Sequence, residues 1–314
     1  MLNLLAVTLV DLGIVGILAG LASLVKPLRF LGIRSRLMGA AAIAASIALI
    51  AAGMFAPAPL QHVAEARTDL DRAMPDWHFS ERHSTTIRAT PERVYQAIKA
   101  VPANDILFFR TLIWIRRLGQ PLPPGILNAP ENEPLLGLAT RTSFATLADG
   151  PQEIVVGTVV VAPREAARSV RLPTTDEFLA LRARGGFALA TMNFAIRPTG
   201  QGTCDVTTET RVFGTGPDAA RRFGAYWRVI YPGSSLIRYM WLRAIKKRAE
   251  APAATLSGGQ ATPRFSVSDS SRRGAHLRQG YGGSAVAREN RWRAEAEGPA
   301  ASGKKLASSL CGCN

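Results

Sequence analysis

Glu81 and His83 are the residues whose types and spacing could do chemistry. They are a carboxylate and an imidazole two positions apart in a run where Trp77, Phe79, Glu81, His83, Thr85 and Ile87 alternate with more polar neighbours. That period of two suits a strand and puts both groups on one face. If the apolar face is the inner one, burial pushes the carboxyl towards its neutral form and the imidazole's attraction opposes it, which gives an acid/base pair. Two other uses stay open: a structural hydrogen-bond network reaching Arg211 or Arg228, and ligand binding without a reaction.

Other chemistries find little support. His62, His78, His83 and His276 are scattered, and no HxxxH or CxxC spacing occurs. Cys311 and Cys313 lie at the end of a polar tail without a second ligand pair, so no metal site is expected. No glycine-rich phosphate loop follows a strand, so nucleotide binding is not expected, and no other cofactor is expected either. No GxSxG elbow is present. Three cysteines in 314 residues exclude a disulfide-built scaffold. The net charge of +15 divides into +3, +7 and +5 over residues 1–60, 61–250 and 251–314. A charge spread this way is not the compact basic block of a nucleic-acid binder.

The elements that must position Glu81 and His83 can be read along residues 77–250. A strand over Trp77–Ala89 is followed by a helix that Thr90 caps, with Pro91 at its first position and Val94, Ala97, Ile98 and Val101 on one side. A second helix starts near Asn104 or Asp105. Strands over 142–148 and 153–161 flank Asp149-Gly150-Pro151, and strands over 187–196 and 204–213 form a second hairpin. From Pro217 the period becomes helical, with Pro232 expected to kink or split the helix. In the last strand Cys204, Val206, Thr208, Thr210 and Val212 form the natural inner wall. Glu209 and Arg211 are then expected as an exposed pair of little energetic weight.

The order strand, two helices, antiparallel strands, long helix, with IRATPERVYQAI at 87–98, resembles the START/polyketide-cyclase-like (SRPBCC) superfamily. The stretches TTETRVF at 207–213 and RRFGAYWRVIYPGSSLIR at 221–238 look like one of its uncharacterised bacterial membrane-anchored branches. The resemblance implies an α+β helix-grip fold, a curved antiparallel sheet around a long C-terminal helix, with a mostly apolar cavity. Its pattern has six strands between the second and last helices where four are clear here, so residues 163–186 would have to supply the rest. Trp77, Phe79, Asn193, Thr208, Thr210, Tyr226 and Trp227 are the expected ligand-cavity residues.

Before this domain, residues 1–25 and 37–60 are apolar runs long enough to cross a hydrocarbon core, which takes roughly 20 helical residues. A cleaved signal peptide would begin with basic residues, whereas Lys26, Arg29, Arg34 and Arg36 follow the first run. Short basic loops stay in the cytoplasm, so the hairpin is expected to turn inside. Its termini, and everything after residue 60, are then periplasmic in a bacterial inner membrane. Asp11 in the first span is expected to lie near the outer surface or against the second helix. Residues 61–76 read as a short helical stalk and 251–314, poor in apolar periodicity, as a disordered tail.

The cations from Arg221 to Arg248 either meet anionic headgroups or form a solvated helix end. The expected function is membrane-anchored binding of an apolar or amphipathic, lipid-like ligand without nucleic acid. A cyclase- or hydrolase-type enzyme using Glu81 and His83, and a partner-binding membrane module, are the alternatives.

Overall fold

The computed structural model describes residues 2–116, 120, 125–163 and 174–252. The expected disordered tail lies outside the described residues, apart from positions 251 and 252. Two apolar helices come first, α1 (Leu2–Val25) and α2 (Arg36–Phe55), joined by a turn whose Gly32 has φ of 79°. Both are long and apolar enough to cross a membrane. Ser35 caps α2 by accepting from Met38 N, and α2 ends two residues before Pro57, short of the expected limit at residue 60.

The remaining elements are β1 (Gln61–His62), α3 (Asp69–Ala73), β2 (Asp76–Trp77), β3 (Phe79–Ile87), α4 (Pro91–Ala100), α5 (Phe109–Arg116), α6 (Leu135–Thr142), β4 (Ala145–Asp149), β5 (Glu153–Val161), α7 (Thr175–Ala180), β6 (Ala188–Gly200), β7 (Thr203–Gly214) and α8 (Pro217–Glu250). This is an α+β arrangement with a five-stranded antiparallel sheet in the order β3-β7-β6-β5-β4. The described part of 163–186 adds helix α7, where Thr174 closes a capping box with Glu177, and not the further strands expected there.

The register fixes the two faces. Glu81 lies opposite Thr210 and His83 opposite Thr208, while Thr208 lies opposite Phe194. Ile87, Ile154, Val156, Met192, Phe194, Ile196, Cys204 and Val206 therefore share the inner face, and α4 and α8 bury Val94, Ile98, Trp241, Leu242 and Ile245 against it. A second cluster joins Phe79, Val212, Phe223 and Trp227 to Val7 of α1. Because both halves of α8 are anchored in these clusters, the helix runs unbroken through Pro232 and is not split. At 34 residues it spans about 50 Å.

Residues 61–76 are not a free stalk. β1 pairs with β2, and α3 buries Leu70 and Ala73 against Val155 on the outer face of the sheet. The hairpin is also fastened to the domain. Asn3 Nδ2 donates to His78 O at 2.5 Å, and Arg228 donates to Met54 O at 3.0 Å and Ala56 O at 2.5 Å. Arg228 thus satisfies carbonyls at the C-terminal end of α2 that have no partner within that helix.

Candidate functional site

The period of two along β3 does set the site. Phe79, Glu81 and Ile87 are buried, His83 and Thr85 partly so, and Ser80, Arg82, Ser84 and Thr86 are exposed. Facing this strand, α8 supplies Ser234, Ser235 and, one turn on, Arg238. The Glu81 side chain is 1% exposed, and its Oε1 lies 2.7 Å from His83 Nε2. Ser234 Oγ donates to Glu81 Oε2 at 3.0 Å, and Ser235 Oγ is 3.3 Å from the same His83 Nε2. If Glu81 is the acceptor, the hydrogen-bond pattern assigns the proton to Nε2, so Nδ1 is the ring atom that would exchange a proton with a ligand.

Arg238 supplies the opposite charge. Burial lowers its guanidinium to about 10, with the Glu81 charge acting to raise it and Arg116 to lower it further. It remains protonated at neutral pH. Its Nη1, the Trp241 Nε1 and the Thr208 Oγ1 are sealed from solvent with no hydrogen-bond partner among the described residues. They belong to adjoining groups: Arg238 sits over the Trp241 indole at 5.8 Å, Trp241 packs edge-on to Phe194 at 5.2 Å, and Phe194 pairs with Thr208, next to His83. Unsatisfied donors of this kind are costly in a native interior.

His83 and Ser235 line an open crevice of about 460 Å³ between α1 and α8. Leu4, Val7, Thr8 and Asp11 contribute from α1, and Tyr231, Pro232, Leu236 and Tyr239 from α8. Burial raises the Tyr231 phenol, and the Glu81 charge adds to the rise. Asp11 lines this crevice.

The structure brings Glu81 and His83 together and moves most of the other expected residues elsewhere. Trp77 is a correction: β2 ends before His78, and the Trp77 ring covers the Arg211 guanidinium at 4.1 Å on the outer face. Asn193 is another, bonding Glu153 Oε1 at 2.6 Å and accepting from Glu209 N at 2.8 Å on that same outer face. Phe79 and Trp227 are packed with Phe223 in an aromatic cluster, and Tyr226 lies edge-on to Phe223 under Arg116. Thr208 and Thr210 are on the inner face, beneath His83 and Glu81, and are not among the crevice-lining residues. Neither Arg211 nor Arg228 joins the Glu81 network.

Of Glu209 and Arg211, expected as an exposed pair, Arg211 is instead buried and Glu209 partly so. The Arg211 side chain is 8% exposed, bonding Glu209 Oε1 at 2.6 Å, Asp71 Oδ1 at 2.9 Å and Met74 O at 3.1 Å. Glu153 completes the network by accepting from Asp69 N at 2.7 Å and Leu70 N at 3.3 Å at the start of α3. This face reads as exposed in the sequence because residues 61–76, which cover it, have the composition of a stalk. Ser234 and Ser235 carry no signal in the sequence beyond their helical spacing from Trp227 and Trp241, and Arg238, expected at anionic headgroups or on a solvated helix end, instead turns inward near Glu81.

No protein-family model and no curated protein matches the sequence. Among solved structures, the Thermus thermophilus protein TTHA0849 is 14% identical over 55% of this chain and 97% of its own, with a TM-score of 0.23. The di-domain ARO/CYC BexL of the BE-7585A biosynthetic pathway is 17% identical over 55% of this chain and 46% of its own, at 0.22. Human STARD10 is 11% identical over 65% and 79%, at 0.20. Likeness at this level leaves function to be argued from the chain's own geometry.

Proposed function

We propose that the protein is a membrane-anchored binder of an amphipathic, lipid-like ligand, built on a fold of the helix-grip kind. The hydrophobic part of the ligand lies in the crevice between α1 and α8, and its polar end meets His83 and Ser235. The observation that carries this reading is the crevice itself, which sets apolar side chains of α1 and α8 beside His83 and Ser235, on a helix long and apolar enough to cross a membrane. The basic turn between α1 and α2 favours a domain held outside the cytoplasm.

A serine-nucleophile reading is disfavoured by atom placement. In a working triad the carboxylate and the nucleophile use opposite imidazole nitrogens, whereas Glu81 and Ser235 both approach Nε2. His83 cannot both hold Glu81 through Nε2–H and take a proton from Ser235 there.

The test is lipid analysis of the full chain purified in mild detergent, for the natural sequence and for a variant with Leu4→Trp and Leu236→Trp. Both residues line the crevice and neither is fully buried. The natural chain should retain an amphiphile that the filled variant loses while keeping its circular dichroism. Equal retention by both would place the ligand elsewhere.

A further inference from the structure

The outward side of α5 and the residues just before it carry a second apolar face. Ile106, Phe109 and Ile113 point into the core, while Leu107, Phe108, Trp114 and Ile115 are 57%, 51%, 57% and 54% exposed. The exposed apolar stripe is built from the turn leading into α5, with Leu107 and Phe108, and from the last turn of that helix, with Trp114 and Ile115. Phe108 has φ of 63°, a left-handed backbone that strains a bulky residue, yet it stays half exposed.

The location of this stripe selects its occupant. α5 packs on α8 through Leu112, whose Cδ2 lies within 4.0 Å of the place a Cβ on Gly233 would take, and through Arg116 over the Tyr226 ring at 5.4 Å. α1 lines the crevice against Tyr231, Leu236 and Tyr239 of the same helix. Two helix-to-helix spacings of about 10 Å therefore separate the stripe from a helix long and apolar enough to span a bilayer. A tryptophan among other exposed apolar side chains, with Arg110, which pairs with Glu131, one turn before it, is the composition of a segment at the headgroup level.

We propose that Leu107, Phe108, Trp114 and Ile115 dock α5 on the bilayer surface, forming a second membrane contact beside the hairpin. This rests on the membrane-anchored reading above. The expected consequence is that the domain cannot swing away on its tether and the crevice stays at the lipid surface.

The test reconstitutes the full chain in phosphatidylcholine/phosphatidylglycerol vesicles containing phosphatidylcholine brominated near the headgroup. Tryptophan quenching is compared for the natural chain and Trp114→Phe, with circular dichroism confirming the same fold. Docking predicts a strongly quenched component that Trp114→Phe removes. Identical quenching in both chains overturns the proposal and leaves the stripe to a protein partner. Carbonate extraction of the same vesicles separates the two levels: a chain stripped by carbonate sinks the anchored reading and the docking with it. A retained chain with unchanged quenching sinks the docking alone.

Discussion

His78 and Arg211 show how single side chains hold the site's surroundings. Gly214 N donates to His78 Nδ1 at 3.2 Å and the ring stacks on Phe213, so the imidazole must be neutral there, and burial lowers its pKa from 6.5. Below 6.5 the unfolded chain takes up a proton that the folded chain resists, so this contribution to stability is present above 6.5 and falls as the pH drops. We expect the melting temperature to decline from about pH 7.5 to about pH 5.5, and His78→Phe to flatten that slope. An unchanged slope would assign the titration to another group.

Burial tends to raise the Asp71 carboxyl, but bonds from Arg67 N, Arg211 and Thr68, with the Arg211 charge, hold it below its usual 3.8. Its contribution is full above that value and lost as the pH falls through the lowered one. Removing the counter-charge by Arg211→Leu leaves Asp71 and Glu209 uncompensated and should cost about 3–5 kcal/mol in a denaturant titration. At this scale Glu81 and His83 were legible because alternation marks a strand face. The burial of Arg211 was not, since its covering residues lie more than a hundred positions away.

At the scale of elements, the apolar hairpin packs through its smallest residues. A Cβ on Gly13 would stand 2.5 Å from Ile50 Cγ1, one on Gly20 2.5 Å from Ile43 Cγ1, and one on Gly53 2.7 Å from Ala6 O. Close backbone approach of this kind is how apolar helices associate when lipid tails compete equally for their side chains. Gly53→Leu should force α1 from α2 and lower stability in detergent by about 1–3 kcal/mol, read by thermal unfolding. It should also disturb Arg228, which bonds Met54 O beside the substituted position. The two apolar lengths were legible from composition, but the glycine contacts needed the relative rotation of the helices. Pro232 misled for a related reason. Its missing N–H costs one bond to the carbonyl of Arg228, while packing on both sides keeps the helix continuous.

For the whole molecule, the sheet, α8 and the hairpin make one compact unit. The crevice lies where α1 and the middle of α8 meet His83, the central residue of β3. The sequence order of strands and helices was enough to anticipate the antiparallel sheet and long last helix. The crevice was not legible, because it lies between α1 and α8, whose relative placement only the fold sets, while Phe194, Trp241 and Ile245 pack in the core under the sheet. Native mass spectrometry of the full chain, released from detergent micelles and titrated with added fatty acids and phospholipids, tests the central claim most directly. The account predicts a one-to-one amphiphile complex that His83→Leu weakens. A bare protein mass that takes up none of the added amphiphiles would contradict it.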